Sequence, residues 1–305
     1  MRPLILAYPG NESLGTKLAK LLAGDLAEFR LRKFPDGESY VQFLKSPKGR
    51  ELMVLCSLDR PDAKILPLIF LAETARELGA TSVGLVAPYL SYLRQDRRFH
   101  EGEGVTSRYF SKLLSAYLDG LVTVDPHLHR IPELSQIYSI PTRVVHAAPE
   151  ISRWLKANVE RPFLIGPDSE SQQWVEGIAT SLGAPFVVCQ KERLGDREVK
   201  VIVPLDHLDS NHTPVLVDDI ISTGRSMVAA LVKIKAVTKI TPVCIGVHAV
   251  FAQHAHRELL AAGAKRVVTC NTIAHPSNDI DLSLPLSEAV QSLNHQKPGK
   301  TEEPR

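Results

Sequence analysis

Pro214-Val-Leu-Val-Asp-Asp-Ile-Ile-Ser-Thr-Gly-Arg-Ser-Met227 places a short apolar run directly before two adjacent acids, a small polar turn and the start of a helix. A continuous apolar run suits a strand buried on both faces, as in a parallel sheet covered by helices. Ser222, Thr223, Gly224 and Ser226 offer hydroxyls and successive backbone amides at a helix N-terminus, where unpaired donors and the dipole favour an anion. Asp218 and Asp219 could accept hydrogen bonds from sugar hydroxyls or hold a metal. The plain alternative is an Asp-rich cap joining a strand to a helix.

Outward from this stretch the same pattern recurs. Apolar runs rich in Val, Ile and Leu lie at 4–8, 52–56, 83–87, 121–124, 162–165, 185–189, 214–217, 243–250 and 266–270. Between them the apolar residues fall at helical spacing, as in Ile65, Leu68, Ile69, Ala72, Ala75 and Leu78, or Phe110, Leu113, Leu114 and Tyr117. The alternation predicts an α/β fold with largely parallel sheets, whose ligands sit beyond the carboxyl ends of the strands. Leu113–Asp125 also aligns without gaps to Leu259–Asn271, and the strand at 52–57 loosely matches that at 214–219. Two similar α/β halves meeting near Ala147 would explain this, although chance can produce such matches in apolar sequence.

The chain has 305 residues, 44% apolar and 23% charged, a composition that excludes disordered, collagenous and coiled-coil classes. A net charge of +2 gives no bulk field for nucleic acid or an anionic membrane, so neither is expected as a partner. The longest apolar run, Ile65–Ala72, contains Pro67 and is far shorter than the roughly 20 residues of a bilayer span. The apolar stretch after Met1 is too short for a secretory leader. Cys56, Cys189, Cys244 and Cys270 lack CxxC spacing and read as buried reduced thiols. A cytoplasmic enzyme is the expectation. Gly10-Asn-Glu-Ser-Leu-Gly-Thr-Lys17 nearly spells a P-loop, but its last two residues are in the wrong order, and a helix N-terminus with Lys17 on the surface is the better reading.

Four more segments, Phe34-Pro-Asp-Gly-Glu38, Pro88-Tyr-Leu-Ser-Tyr-Leu-Arg-Gln-Asp96, Asp125-Pro-His127 and Lys191-Glu-Arg193, stand in one order with 214–227. In that order and spacing the chain resembles the ribose-phosphate pyrophosphokinase family, over residues 1 to about 290. The resemblance implies an α/β fold of two type I phosphoribosyltransferase-like domains, 1–146 and 147–290, with 291–305 a frayed tail. It implies transfer of the β,γ-diphosphoryl group of ATP to the C1 hydroxyl of ribose 5-phosphate, with Mg²⁺ as cofactor, in a homo-oligomer of two or more subunits. Such a transfer calls for positioning and charge neutralisation more than covalent catalysis.

By the same resemblance Lys191 and Arg193 match the catalytic basic pair, on a loop in which Gly195 could pivot. His127 matches a magnesium- and ATP-contacting histidine, and Asp168 a second metal-site carboxylate. Arg94, Gln95 and Asp96 resemble the ATP-binding segment. Phe34, Asp36 and Glu38 resemble an adenine-contacting loop supplied by a neighbouring subunit, so that the ATP site would be shared. Asp218, Asp219, Ser222, Thr223, Gly224, Arg225 and Ser226 match the ribose 5-phosphate loop. His129 beside His127, and His256 near His254, have the spacing of a zinc pair, but no cysteine or HExxH partner supports zinc. The sequence departs from the family at Ser169-Glu-Ser-Gln-Gln173, at Arg225 and Ser226, and at His100-Glu-Gly-Glu-Gly-Val105, so regulation does not carry over. Two rival readings are a non-catalytic homologue that binds synthetase subunits and a phosphoribosyltransferase that consumes phosphoribosyl pyrophosphate. Retained loop cations and metal ligands weigh against the first, and two halves against the second.

Overall fold

The computed structural model describes residues 2–193, 199–202 and 211–294. Two compact units result, Met1–Val145 with Ser283–Arg305, and His146–Leu282.

Unit 1 contains β1 (Leu4–Ala7), α1 (Glu12–Leu21), β2 (Asp25–Leu26), β3 (Phe29–Lys33), β4 (Ser39–Phe43), β5 (Glu51–Leu55), α2 (Asp62–Glu77), β6 (Ser82–Ala87), α3 (Thr106–Tyr117), β7 (Gly120–Val124) and β8 (Thr142–Val145). Its main sheet runs β2-β1-β5-β6-β7-β8, with every pairing parallel. The continuous apolar strands explain the order of layers. Leu6, Val54, Leu85 and Leu121 are fully buried and pack with Leu71 of α2 and Leu114 of α3.

Unit 2 contains α4 (Ala148–Asn158), β9 (Pro162–Gly166), α5 (Gln172–Leu182), β10 (Phe186–Val188), β11 (Gln190–Arg193), β12 (Val199–Ile202), β13 (Thr213–Ile220), α6 (Arg225–Val237), β14 (Val243–His248), α7 (Ala255–Ala261), β15 (Arg266–Cys270) and β16 (Asn278–Ile280). The sheet order β10-β9-β13-β14-β15-β16 repeats that of unit 1, again parallel throughout. The internal match read from the sequence is therefore a fold repeat: β5 and β13 are each third in their sheet, and β7 and β15 each fifth. An antiparallel hairpin lies between the second and third strands of each unit, β3–β4 in one and β11–β12 in the other.

The apolar runs predicted as strands all appear, within a few residues at their ends. The strands that periodicity did not reveal are short, polar or at an edge. In β3, for example, Phe29 and Leu31 turn toward the core while Arg30 and Arg32 are exposed, an alternating pattern unlike the buried runs.

A helix α8 (Ser283–Asn294) follows β16 but packs on α1, β7 and β8 of unit 1, where expectation placed residues up to 290 with the C-terminal half. Leu293 is 2% exposed, and a Cβ on Gly120 would sit 2.8 Å from its Cδ2. Arg143 Nε donates to Ser292 Oγ at 3.1 Å. Residues 291–294 are thus the last turn of α8, anchored by the buried Leu293, rather than a frayed tail; residues 295–305 lie outside the described residues. Among the described residues no helix is long and apolar enough to cross a membrane. All four cysteines are buried and none is in a disulfide.

Candidate functional site

In unit 2 the buried strand β13 delivers Asp218 and Asp219 to its carboxyl end, and the chain turns through Ile221–Gly224 into α6. Gly224 takes φ +69°, a left-handed conformation that disfavours a side chain. The turn is held from both sides. Ile221 N–H donates to His248 O at 3.1 Å, while Phe251 and Ala252 amides donate to Ile221 O and Ser222 O at 2.8 and 3.0 Å. Gly246 of β14 makes room for this turn: a Cβ there would lie 2.6 Å from Ile221 Cγ1 and Cδ1. Neither Ile221 nor Gly246 was a sequence candidate, since a glycine inside an apolar strand signals close approach without naming what approaches. Ser222, Thr223 and Ser226 are half-buried around the turn, and Arg225 opens α6 in an exposed position.

The acids are crowded. Asp219 is buried and its Oδ1 accepts from Ile220 N–H at 2.7 Å. Burial, then the charges of Asp219 and Asp168, hold Asp218 well above the usual carboxylate range, offset in part by the Asp219 amide at 3.0 Å. Asp168 stands after β9 and accepts from Glu170 N–H at 3.1 Å. Its carbonyl takes the Ser171 hydroxyl at 2.6 Å, and a Cβ on Gly166 would come within 2.4 Å of that hydroxyl. The unusual Ser169–Gln173 stretch is therefore one tight turn followed by the start of α5. Three carboxylates gathered on one unit form an oxygen donor set that suits a hard cation such as Mg²⁺.

Lys191 and Arg193 lie on β11, in register with Val201 and Val199 of β12. Their side chains and Gly195 lie outside the described residues. The corresponding hairpin of unit 1 carries Phe34, Asp36 and Glu38 in the turn between β3 and β4. That turn is closed by Phe34 N–H to Glu38 O at 2.8 Å and by Glu38 N–H to Asp36 Oδ1 at 3.2 Å. Phe34 is 39% exposed. The Arg32 guanidinium lies 4.7 Å from the Phe34 ring centre and 4.2 Å from that of Tyr40, a stack that sequence reading missed because it joins residues across the hairpin.

Beyond β6 and β7 unit 1 assembles the other candidates. Arg94 is exposed and Gln95 half-buried. The Asp96 side chain is 4% exposed, and both its oxygens accept from Arg130 Nη1, at 3.1 and 3.2 Å. Asp125 is buried with φ +30° and leads into Pro126 and His127. His127 and His129 meet Nε2 to Nε2 at 2.8 Å, edge to face. In the divergent stretch, Glu103 accepts from Phe99 N–H at 2.7 Å, and backbone hydrogen bonds from Phe99 and His100 hold its carboxyl below the usual range. The near P-loop is an ordinary helix start. Glu12 accepts from Gly10 N–H, Gly15 packs against Ala7, and Lys17 is exposed.

A family model described as the N-terminal domain of ribose phosphate pyrophosphokinase matches residues 4–117, and a phosphoribosyl transferase domain model matches 133–284. A ribose-phosphate pyrophosphokinase of Methanopyrus kandleri is 32% identical, over 95% of this chain and 99% of its own. One of Sulfolobus acidocaldarius is 31% identical, over 94% and 98%. Among solved structures, phosphoribosylpyrophosphate synthetase from Mycobacterium smegmatis has the same fold, with a TM-score of 0.84 at 21% identity, covering 97% of this chain and all of that one.

Proposed function

Because the chain belongs to the ribose-phosphate pyrophosphokinase family, we propose that it transfers the β,γ-diphosphoryl group of ATP to the C1 hydroxyl of ribose 5-phosphate, forming 5-phospho-α-D-ribose 1-diphosphate and AMP. The observation that carries this reading is the turn between β13 and α6. Two acids at a strand end and a left-handed Gly224 before a thirteen-residue helix match what a sugar phosphate requires. The loop amides and the hydroxyls of Ser222, Thr223 and Ser226 take the 5-phosphate, with Arg225 at its edge. Asp218 and Asp219 accept from the ribose hydroxyls. ATP is held by Arg94, Gln95 and His127, and Lys191 and Arg193 neutralise the moving phosphates, Arg193 with a planar fork and Lys191 as a point charge.

Mg²⁺ fits this chain as a phosphate-shared ion: it supplies charge neutralisation of the triphosphate when bound, with His127 contacting one metal site and Asp168 another. The crowding of Asp168, Asp218 and Asp219, which raises Asp218, supports a cation on unit 2. The exposed Phe34 at the hairpin tip supports a base-stacking role toward a neighbouring subunit, with Asp36 and Glu38 accepting from the base or ribose, hence a homo-oligomer. Four buried cysteines that form no disulfide support a reducing, cytoplasmic setting.

Incubating the protein with ATP, Mg²⁺ and ribose 5-phosphate tests the proposal. AMP should appear in step with phosphoribosyl pyrophosphate, and EDTA should stop both. No AMP under these conditions would favour a regulatory homologue, and base-dependent consumption of phosphoribosyl pyrophosphate a phosphoribosyltransferase.

A further inference from the structure

We infer that Arg130 is an additional ATP-binding residue that contacts the triphosphate, and that Asp96 acts through it, as the group that aims its guanidinium. The inference rests on the proposed function and names a residue that no motif assigned. Both Asp96 oxygens are taken by one nitrogen, Arg130 Nη1, at 3.1 and 3.2 Å, and the carboxylate is almost wholly withdrawn from solvent while 47% of the arginine side chain remains exposed. An arginine has five N–H donors in a rigid plane. Binding Asp96 through Nη1 leaves the Nε and Nη2 edge of that plane for a ligand.

The surroundings fit a polyanion. Arg130 follows His127 by three residues on the same loop, and its guanidinium carbon lies 5.8 Å from the Phe99 ring centre, with that of Arg97 5.2 Å from the same ring. Phe99 is 47% exposed, so the ring steers both guanidinia without burying them. The Asp96–Arg130 pair also ties the loop after β6 to the loop after β7, the two loops that carry Arg94, Gln95 and His127. A carboxylate facing a bound triphosphate would repel it. A carboxylate engaged by a cation, with that cation turned to the ligand, converts the same residue into a support.

Calorimetry with MgATP and with AMP, on the full chain without ribose 5-phosphate, tests this. Arg130→Ala should weaken ATP about tenfold and AMP less than about twofold, because AMP lacks the phosphates that the edge would contact. Arg130→Lys should recover part of the loss, keeping the charge but not the fork. Asp96→Asn should reproduce a fraction of the Arg130→Ala effect, and the double variant should bind ATP no worse than Arg130→Ala alone. Thermal melting of each variant checks folding, and Arg130→Lys provides the reading if Arg130→Ala does not fold. Unchanged ATP affinity in Arg130→Ala, equal losses for ATP and AMP, or multiplying effects of the two sites would overturn the inference. A wild-type protein that binds no ATP would instead overturn the functional reading on which it stands.

Discussion

The side chain of Ile221 occupies the space that a Cβ on Gly246 would need, at 2.6 Å from two of its carbons. An isoleucine in the turn between β13 and α6 is thereby seated against the neighbouring strand, and the turn's height above the sheet is set by a missing methyl group. Gly246→Ala should displace Ile221 and with it the amides of Ser222 to Gly224. Overpacking of this kind costs about 1–3 kcal/mol. The Michaelis constant for ribose 5-phosphate should rise several-fold while ATP affinity stays constant, a split that steady-state kinetics and calorimetry together would reveal.

Lys191→Ala should lower turnover on the order of 10²-fold or more while leaving ATP affinity nearly intact, since a cation that meets the transferring phosphates contributes mainly in the transition state. Single-turnover measurement of AMP checks it. Unaltered turnover would remove Lys191 from the proposed machinery.

Leu293 contacts Gly120 across a chain separation that spans all of unit 2. Leu293→Ala should destabilise unit 1 by about 2–5 kcal/mol, the range for emptying a buried leucine site. A chain ending at residue 290 should show the same loss. Hydrogen exchange in β7 and β8 would report it directly, and unaltered protection there would mean that α8 contributes little.

Burial pushes the thiols of Cys56, Cys189 and Cys244 up from 9.0 to about 12, and the Tyr8 hydroxyl from 10.0 to about 12. A raised acid keeps its proton in the folded chain at a pH where the unfolded chain has lost it. Stability from these groups is therefore fully present below about pH 9 and falls as pH rises from 9 toward 12. Chemical denaturation at pH 8, 9.5 and 11 should show a declining midpoint. At pH 8 the folded protein should resist a thiol reagent that labels four cysteines after denaturation.

The legibility of this protein followed the physics of each segment. Strands such as Leu52–Leu55 and Val243–Val247 are buried on both faces, so their unbroken apolar character announces them. The hairpin β3–β4 has one wet face, and its alternation is short enough to pass for a loop. The turn proposed to hold the phosphate was legible as a strand, acid pair, glycine and helix start because all of these lie within fourteen residues. The partner of Asp96 was not legible, because Arg130 is 34 residues away and reaches it only when β6 and β7 lie side by side. Arg32 between Phe34 and Tyr40 escaped for the same reason at shorter range.

The sequence by itself determined the α/β class and the family, and it pointed to an internal repeat and to strand ends where ligands are expected to meet the chain. Periodicity and local motifs are properties of neighbouring residues, and burial of apolar runs leaves few alternatives for them. Only the tertiary structure decided that the last helix completes the first unit, that Gly246 seats Ile221, and which cation the buried Asp96 holds. Each of these is a contact between residues far apart in the chain, fixed by close packing and by the need of a buried charge for a partner, and neither requirement leaves a mark within a short window of sequence.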